Sequence, residues 1–145
     1  MIKALRKKSK GFTLVELAVV IVIIGVLAAF AVPRFRDAVE RSKASEAFNF
    51  LAAVRASQER YHARQGTYGA LLTDLDIELG TPKYFTVGTI AAGSTGDLED
   101  SWTLTLTRTG ASAGYGAYTV TFTEEGYDAV NSTIASTPAI NPMAT

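Results

Sequence analysis

The feature that most constrains this chain is one apolar run, FTLVELAVVIVIIGVLAAFAV, from Phe12 to Val32: 21 residues holding a single charge, Glu16. A helix rises about 1.5 Å per residue, so the run spans roughly 30 Å, the hydrocarbon thickness of a bilayer. Apolar residues lie all round the helix, which therefore needs burial on every side. Five bases precede it (Lys3, Arg6, Lys7, Lys8 and Lys10) with no acid among them. The positive-inside rule places that end in the cytoplasm and the rest of the chain outside. The formal net charge is zero, yet residues 12–145 hold nine bases against 14 acids. A basic tip on an acidic body lacks the basic face of a nucleic-acid-gripping fold, so no direct nucleic-acid binding is expected.

Glu16 decides between readings of this run. A permanent single-span anchor leaves it unexplained. So does a secretory signal peptide, which Ala29-Phe30-Ala31 suggests as a cleavage site, although the run exceeds the usual apolar core of about 7–15 residues. A carboxylate within a membrane helix costs about 2.5–3.5 kcal/mol and normally has a partner. No base lies three or four residues away, so the partner is expected from another chain or from a positive charge created nearby.

The residues Lys10-Gly11-Phe12-Thr13-Leu14-Val15-Glu16-Leu17 resemble the processing motif of type IV prepilins and related pseudopilins. The resemblance implies that a prepilin peptidase cuts after Gly11 on the cytoplasmic side, and that the new N-terminal Phe12 is methylated. It further implies that the Phe12 amine pairs with Glu16, chiefly the Glu16 of an adjacent subunit during assembly. An unperturbed α-amine titrates near about 7.7–8.0 and is largely cationic at neutral pH. Gly25 and Pro33 match positions where this family bends or loosens its helix; taken alone, such residues also describe a kinked anchor, since membrane helices tolerate both. Unwinding over residues 25–33 on packing into a fibre is the functional alternative.

Beyond Pro33 the pattern becomes one-sided. Ala44, Ala47, Phe48, Leu51, Val54, Ser57 and Tyr61 recur at helical spacing, and Gly66 is a natural stop. Trp102, Leu104 and Leu106 alternate with threonines, as do Tyr118, Val120 and Phe122, giving two strands with an apolar and a threonine face. Tyr84–Ile90 reads as a weaker third strand. Turn formers fill Gly93–Asp97, Thr109–Gly116 and Glu124–Gly126. The expected fold is α+β: a long N-terminal helix, its first half transmembrane and its second amphipathic, packed on a small antiparallel sheet. The resemblance makes this the type IV pilin fold. The expected segments are a removed basic leader over 1–11, a membrane and filament-core helix over 12–33, an amphipathic helix over 34–65, and a loop-and-sheet head over 66–145.

Site chemistry is sparse. With no cysteine there is no disulfide to close a C-terminal loop, no thiolate metal site and no thiol nucleophile. Gly110-Ala111-Ser112-Ala113-Gly114 has the form of a nucleophile elbow, but a strand follows it and the single histidine, His62, precedes it. Asp97, Glu99 and Asp100 lack the aspartate- and glycine-rich pattern of the family's calcium loop and read as a solvated turn. Trp102 and the tyrosines read as core, Asn131-Ser132-Thr133 as part of a polar C-terminal loop, and Asn141–Thr145 as structureless. No cofactor, metal or enzymatic activity is expected.

The resemblance implies a structural subunit of a type IV pilus-like filament, a fimbrium of the kind that serves adhesion, twitching motility, DNA uptake, secretion or electron transfer. It would be made as an inner-membrane prepilin with its head outside and polymerised into a surface filament. Its partners would be itself, as a helical homopolymer, prepilin peptidase/methyltransferase, the inner-membrane assembly machinery, and membrane lipid before assembly. The alternatives are a type II secretion pseudopilin, or a monomeric membrane-anchored extracytoplasmic binding domain.

Overall fold

The computed structural model describes residues 11–78 and 80–144. The basic stretch Met1–Lys10, expected as most of the leader, lies outside the described residues. Contacts divide the chain into two units, Met1–Phe35 and Arg36–Thr145. One helix, α1 (Leu14–Gln65, 52 residues), contributes to both and is helical through Gly25 and Pro33.

In the first unit every large apolar side chain from Phe12 to Phe35 is exposed, all but Phe12 on α1. It is long and apolar enough to cross a membrane.

The second unit is the α+β head. From Ala44 onward α1 buries Ala44, Ala47, Leu51, Val54 and Ser57 completely, with Phe48 and Phe50 nearly so. The helix stops where expected: Gly66 sits at φ 76° and its N–H closes on the His62 carbonyl at 2.8 Å, a left-handed residue just past a helix end.

Against this stripe packs an antiparallel sheet of β1 (Phe85–Val87), β2 (Ala91–Ala92), β3 (Trp102–Arg108), β4 (Thr119–Thr123) and β5 (Gly126–Tyr127). The order is β1-β3-β4-β5, with β2 also pairing β3. Along β3 burial alternates strictly, with Trp102, Leu104, Leu106 and Arg108 inward and the threonines outward. The two threonine rows face each other in register, Thr103↔Thr123, Thr105↔Thr121 and Thr107↔Thr119.

The expected third strand, Tyr84–Ile90, is shorter and continues differently. Val87 opposes Leu106 and Ala91 opposes Thr103, so three residues on one strand face two on the other. That extra residue is a bulge, which breaks the ladder and leaves β1 and β2 as two pieces on one edge. Gly88 makes it possible: its N–H reaches the Thr105 carbonyl at 3.0 Å, and a Cβ there would lie 2.7 Å from the same oxygen.

The C-terminal segment departs from expectation. It forms a 3-10 turn (Thr133–Ser136) and fully buries Ile134 and Ile140, with Asn141 nearly buried. Without a disulfide it is fastened by side chains. Ser132 Oγ accepts the Thr121 N–H at 2.8 Å and Thr133 Oγ1 accepts the Thr119 N–H at 2.7 Å, occupying outward donors of β4. The Asp128 carboxylate accepts the Val130 and Asn131 N–H groups and the Asn131 side-chain amide at 3.0, 3.1 and 2.6 Å.

Candidate assembly site

Gly11, Phe12 and Thr13 precede the first helical residue, and all three are exposed. Thr13 is the N-cap. Its N–H and hydroxyl both donate to Glu16 Oε2, at 2.8 and 2.7 Å, and its Oγ1 accepts the Glu16 N–H at 3.2 Å. This is a reciprocal capping box of the form Thr-x-x-Glu, which satisfies donors that the first helical turn cannot bond internally. The expectation of a cation from another chain or from a charge created nearby does not include this local partner: the cap occupies one carboxylate oxygen. The other oxygen, Oε1, has no hydrogen-bond partner among the described residues. A carboxylate at a helix N-terminus with one open oxygen can accept a further cationic donor.

Glu16 sits in the first turn of a segment whose apolar side chains are all exposed, from Phe12 at 76 % to Phe35 at 69 %. A soluble monomer rarely exposes more than a few hundred Å² of contiguous apolar surface, so this length of helix needs lipid or other helices around it. Around Gly25 there is open space: a Cβ built there meets nothing within 4 Å.

The head holds a second cluster that the periodicity of the sequence does not single out as a site. Glu40, 1 % exposed, lies one turn before Ala44 on the buried stripe. Arg108, 3 % exposed, is in phase with the apolar face of β3. Arg108 Nε and Nη2 donate to the two oxygens of Glu40 at 2.5 and 3.2 Å, and the Tyr118 hydroxyl donates to Oε1 at 2.9 Å. The rest of the guanidinium is spent on the carbonyls of Tyr84, Thr109 and Ala111. It lies 5.5 Å from the centre of the Tyr84 ring.

Burial alone would push the Glu40 carboxyl up. Hydrogen bonds from Arg108 and Tyr118, with the charges of Arg108 and Lys43, outweigh it and hold Glu40 below the ordinary carboxylate range. Burial, together with the bond to Glu40 and its charge, pushes the Tyr118 phenol well up. Beside this cluster the Tyr115 hydroxyl donates to Asp37, so the β3–β4 loop is fastened to α1 at two successive turns. The geometry is that of a structural clamp.

The other expected positions fall as follows. Trp102 is fully buried and Tyr118 nearly so, in the core. His62 stacks on Tyr68 at 4.4 Å and its Nε2 lies 2.9 Å from the Glu99 carbonyl. The Gly110–Gly114 stretch lies in the loop before β4, with Gly110, Ala113 and Gly114 all at positive φ. Asp97 uses its carboxylate on the Glu99 N–H at 3.0 Å.

Comparison with known proteins gives two family matches. The N-terminal stretch, residues 6–32, matches the prokaryotic N-terminal methylation motif. Residues 33–134 match the family described as type IV minor pilin ComP, DNA uptake sequence receptor. Among curated relatives, the fimbrial protein EcpC of Eikenella corrodens is 46% identical over 66 residues, 46% of this chain and 43% of that protein. The type IV major pilin protein PilA of Myxococcus xanthus (strain DK1622) is 38% identical over 68 residues, 47% of this chain and 31% of that protein. A fimbrial protein of Pseudomonas aeruginosa is 33% identical over 90 residues, covering 61% of this chain and 56% of that protein. The chain thus spans less than two thirds of the length of each of these relatives. No solved structure matches it significantly.

Proposed function

We propose, for a chain that belongs to the family described as type IV minor pilin ComP, DNA uptake sequence receptor, that it is a structural subunit of a type IV pilus-like filament and not an enzyme. The observation that carries this is an exposed apolar helix beginning at a capped Glu16 whose second oxygen is open. Residues 12–33 hold the precursor in the inner membrane, with its N-terminus cytoplasmic and its head outside. Prepilin peptidase cuts after Gly11 and the Phe12 amine is methylated. That amine arises directly beside the cap, and Glu16 Oε1 of a neighbouring subunit accepts it. The helices then bundle in the fibre core. Lipid is as apolar as leucine, so packing and polar pairing must select the arrangement. A subunit out of register leaves a buried carboxylate without its cation, which is strongly unfavourable.

The DNA-receptor part of the family's description is not adopted for this chain. The sheet-and-loop part of the head, residues 66–145, contains nine acids and only two bases, Lys83 and Arg108, and Arg108 is buried on Glu40; the head's other bases, Arg36, Arg41, Lys43, Arg55, Arg60 and Arg64, stand on α1. A sheet surface that neutralises phosphates needs several free bases, and this one offers Lys83 alone.

The test is the N-terminus of protein sheared from the cell surface, read by intact mass and sequencing. A start at methylated Phe12 is expected; a start at Met1 would indicate a permanent anchor and at Val32 a secreted domain. Glu16→Ala is expected to leave cleavage intact and reduce filament yield. Thr13→Ala, which removes only the cap hydroxyl, costs the helix about 1 kcal/mol and is expected to keep most filaments. Abundant filaments from Glu16→Ala, or equal losses from both variants, would refute the pairing role.

A further inference from the structure

The charges of the head are sorted along its helix. At the end where the chain enters the head lie Arg36, Arg41 and Lys43, with Arg108 folded in behind them. Of the acids there, Glu40 is consumed by Arg108 and Lys43, and Asp37 accepts the Tyr115 hydroxyl. Arg36 and Arg41 are exposed, and neither forms an ion pair among the described residues.

The opposite sign collects at the other end. His62 reaches the Glu99 carbonyl, and Leu98 accepts the Tyr68 N–H at 2.8 Å, which fixes the turn of Asp97, Glu99 and Asp100 at the C-terminal end of α1. Arg60 holds Asp76 through two bonds, which places Asp74–Glu78 beside the same last turns. Within this acidic end Glu59, Asp74, Glu78, Asp97, Glu99 and Asp100 have no ion-pair partner among the described residues, and neither do the bases Arg55 and Arg64. Arg36 and His62 are 26 positions apart on a continuous helix, about 39 Å along its axis.

We propose that these two ends are a complementary pair between copies of this chain: the acidic end of one subunit, at Glu99 and Asp100, docks on the basic end of another, at Arg36 and Arg41. The inference rests on the filament reading. Between copies that point the same way, as the filament reading requires, two unlike surfaces at opposite ends make a heterologous contact, which generates an open helical polymer. An antiparallel two-fold dimer would also set acid on base, so it is the filament reading, not the charges alone, that selects the open polymer. Exposed ion pairs add little affinity singly, but like-charge juxtaposition is heavily penalised, so among copies that point the same way the surfaces select the axial offset and disfavour those that bring like ends together. Glu99 and Asp100 suit the role because their carboxylates have no hydrogen-bond partner within the head's described residues.

The experiment is a charge swap in the full-length chain expressed in its own assembly background, with filaments sheared from cells and quantified against total subunit and Gly11 processing. Arg36→Glu with Arg41→Glu is expected to lower sheared filament by at least about tenfold, as is Glu99→Lys with Asp100→Lys. Placing all four substitutions in one chain makes the ends complementary again and is expected to restore filament to within about threefold of the parent. A defect in folding or membrane insertion would not be repaired this way.

Undiminished yield from the two-residue variants would overturn the contact. So would a four-residue variant no better than the arginine reversals, the result expected if these arginines instead face anionic lipid headgroups. Absence of filaments from the unaltered chain would remove the filament reading itself, and this contact with it.

Discussion

Glu40→Leu is the perturbation with the largest consequence readable from the structure. The carboxylate receives three hydrogen bonds, two from Arg108 at 2.5 and 3.2 Å and one from Tyr118 at 2.9 Å. With Glu40 replaced, a guanidinium only 3 % exposed loses its anion and a buried phenol loses its acceptor. Removing one partner of a buried pair costs about 3–5 kcal/mol. The three loop carbonyls that Arg108 still contacts hold the expected loss near the lower bound, about 3 kcal/mol, and for a domain of this size Tm falls by about 10 °C or more. Tyr118→Phe, which leaves the ion pair whole, is expected to cost about 1–2 kcal/mol. Replacing Glu40, Arg108 and Tyr118 together by Leu, Met and Phe removes the buried charges in concert and should recover part of the loss. Trp102 is the single tryptophan and is fully buried, so its fluorescence in detergent-solubilised protein follows thermal unfolding of the head without a label. A loss below about 1 kcal/mol for Glu40→Leu would show that water reaches the guanidinium and would refute the clamp.

The remaining predictions concern pH, the C-terminal segment and DNA. Glu40, Asp76 and Asp128 all have carboxyls held below their ordinary range, so the stability they contribute is present above the unfolded carboxylate pKa and is lost as pH falls through the lower folded values. The Tyr118 phenol is raised, so its contribution is complete below about pH 10 and is lost as pH rises beyond that. Unfolding followed from pH 7 to pH 3 should show the acid limb, and Glu40→Gln should flatten it. Asp128→Ala removes the acceptor for two backbone N–H groups and one amide; it is expected to cost about 1–2 kcal/mol and to speed hydrogen exchange at Val130 and Asn131, whereas unchanged exchange there would contradict the fastening described. The purified protein is expected to show no salt-dependent shift of duplex DNA in a mobility assay, and micromolar binding at physiological salt would overturn the reading of the acidic head.

What the sequence made legible is what local periodicity encodes. The helical stripe from Ala44 to Val54 and the alternation along Trp102–Leu106 are each dictated by one element's need to bury one face, and both appear in the structure. The bulge at Gly88 was not legible in this way, because the apolar and polar pattern runs on through Ile90 and only the pairing with Thr105 reveals the extra residue. Ser132 and Thr133 look like a polar tail because nothing near them in sequence announces that β4 has outward N–H groups to satisfy. Arg108 and Glu40 are different: each stands in phase with a buried face, and a charge in such a position requires an opposite charge facing it. Glu16 likewise carried its own answer in the Thr13-x-x-Glu16 spacing, a local signature that competes with the search for a distant cation.

That competition at Glu16 has a physical resolution. The cap uses Oε2 and the Thr13 donors, and these groups lie after Phe12, so a cut behind Gly11 removes none of them. The same carboxylate can therefore end its own helix and present Oε1 outward. In a bilayer the capped form is less costly than a bare carboxylate, because two donors replace lost water. In a bundle of identical helices the open oxygen still prefers a cation to lipid. A partly satisfied acid suits both environments. A fully paired one would leave nothing to choose a neighbour, and a bare one would resist insertion. The head repeats the logic in the opposite sense: Glu40 is held by Arg108, Tyr118 and Lys43 and fixes the loop, while Glu16 keeps Oε1 open for the pairing proposed above.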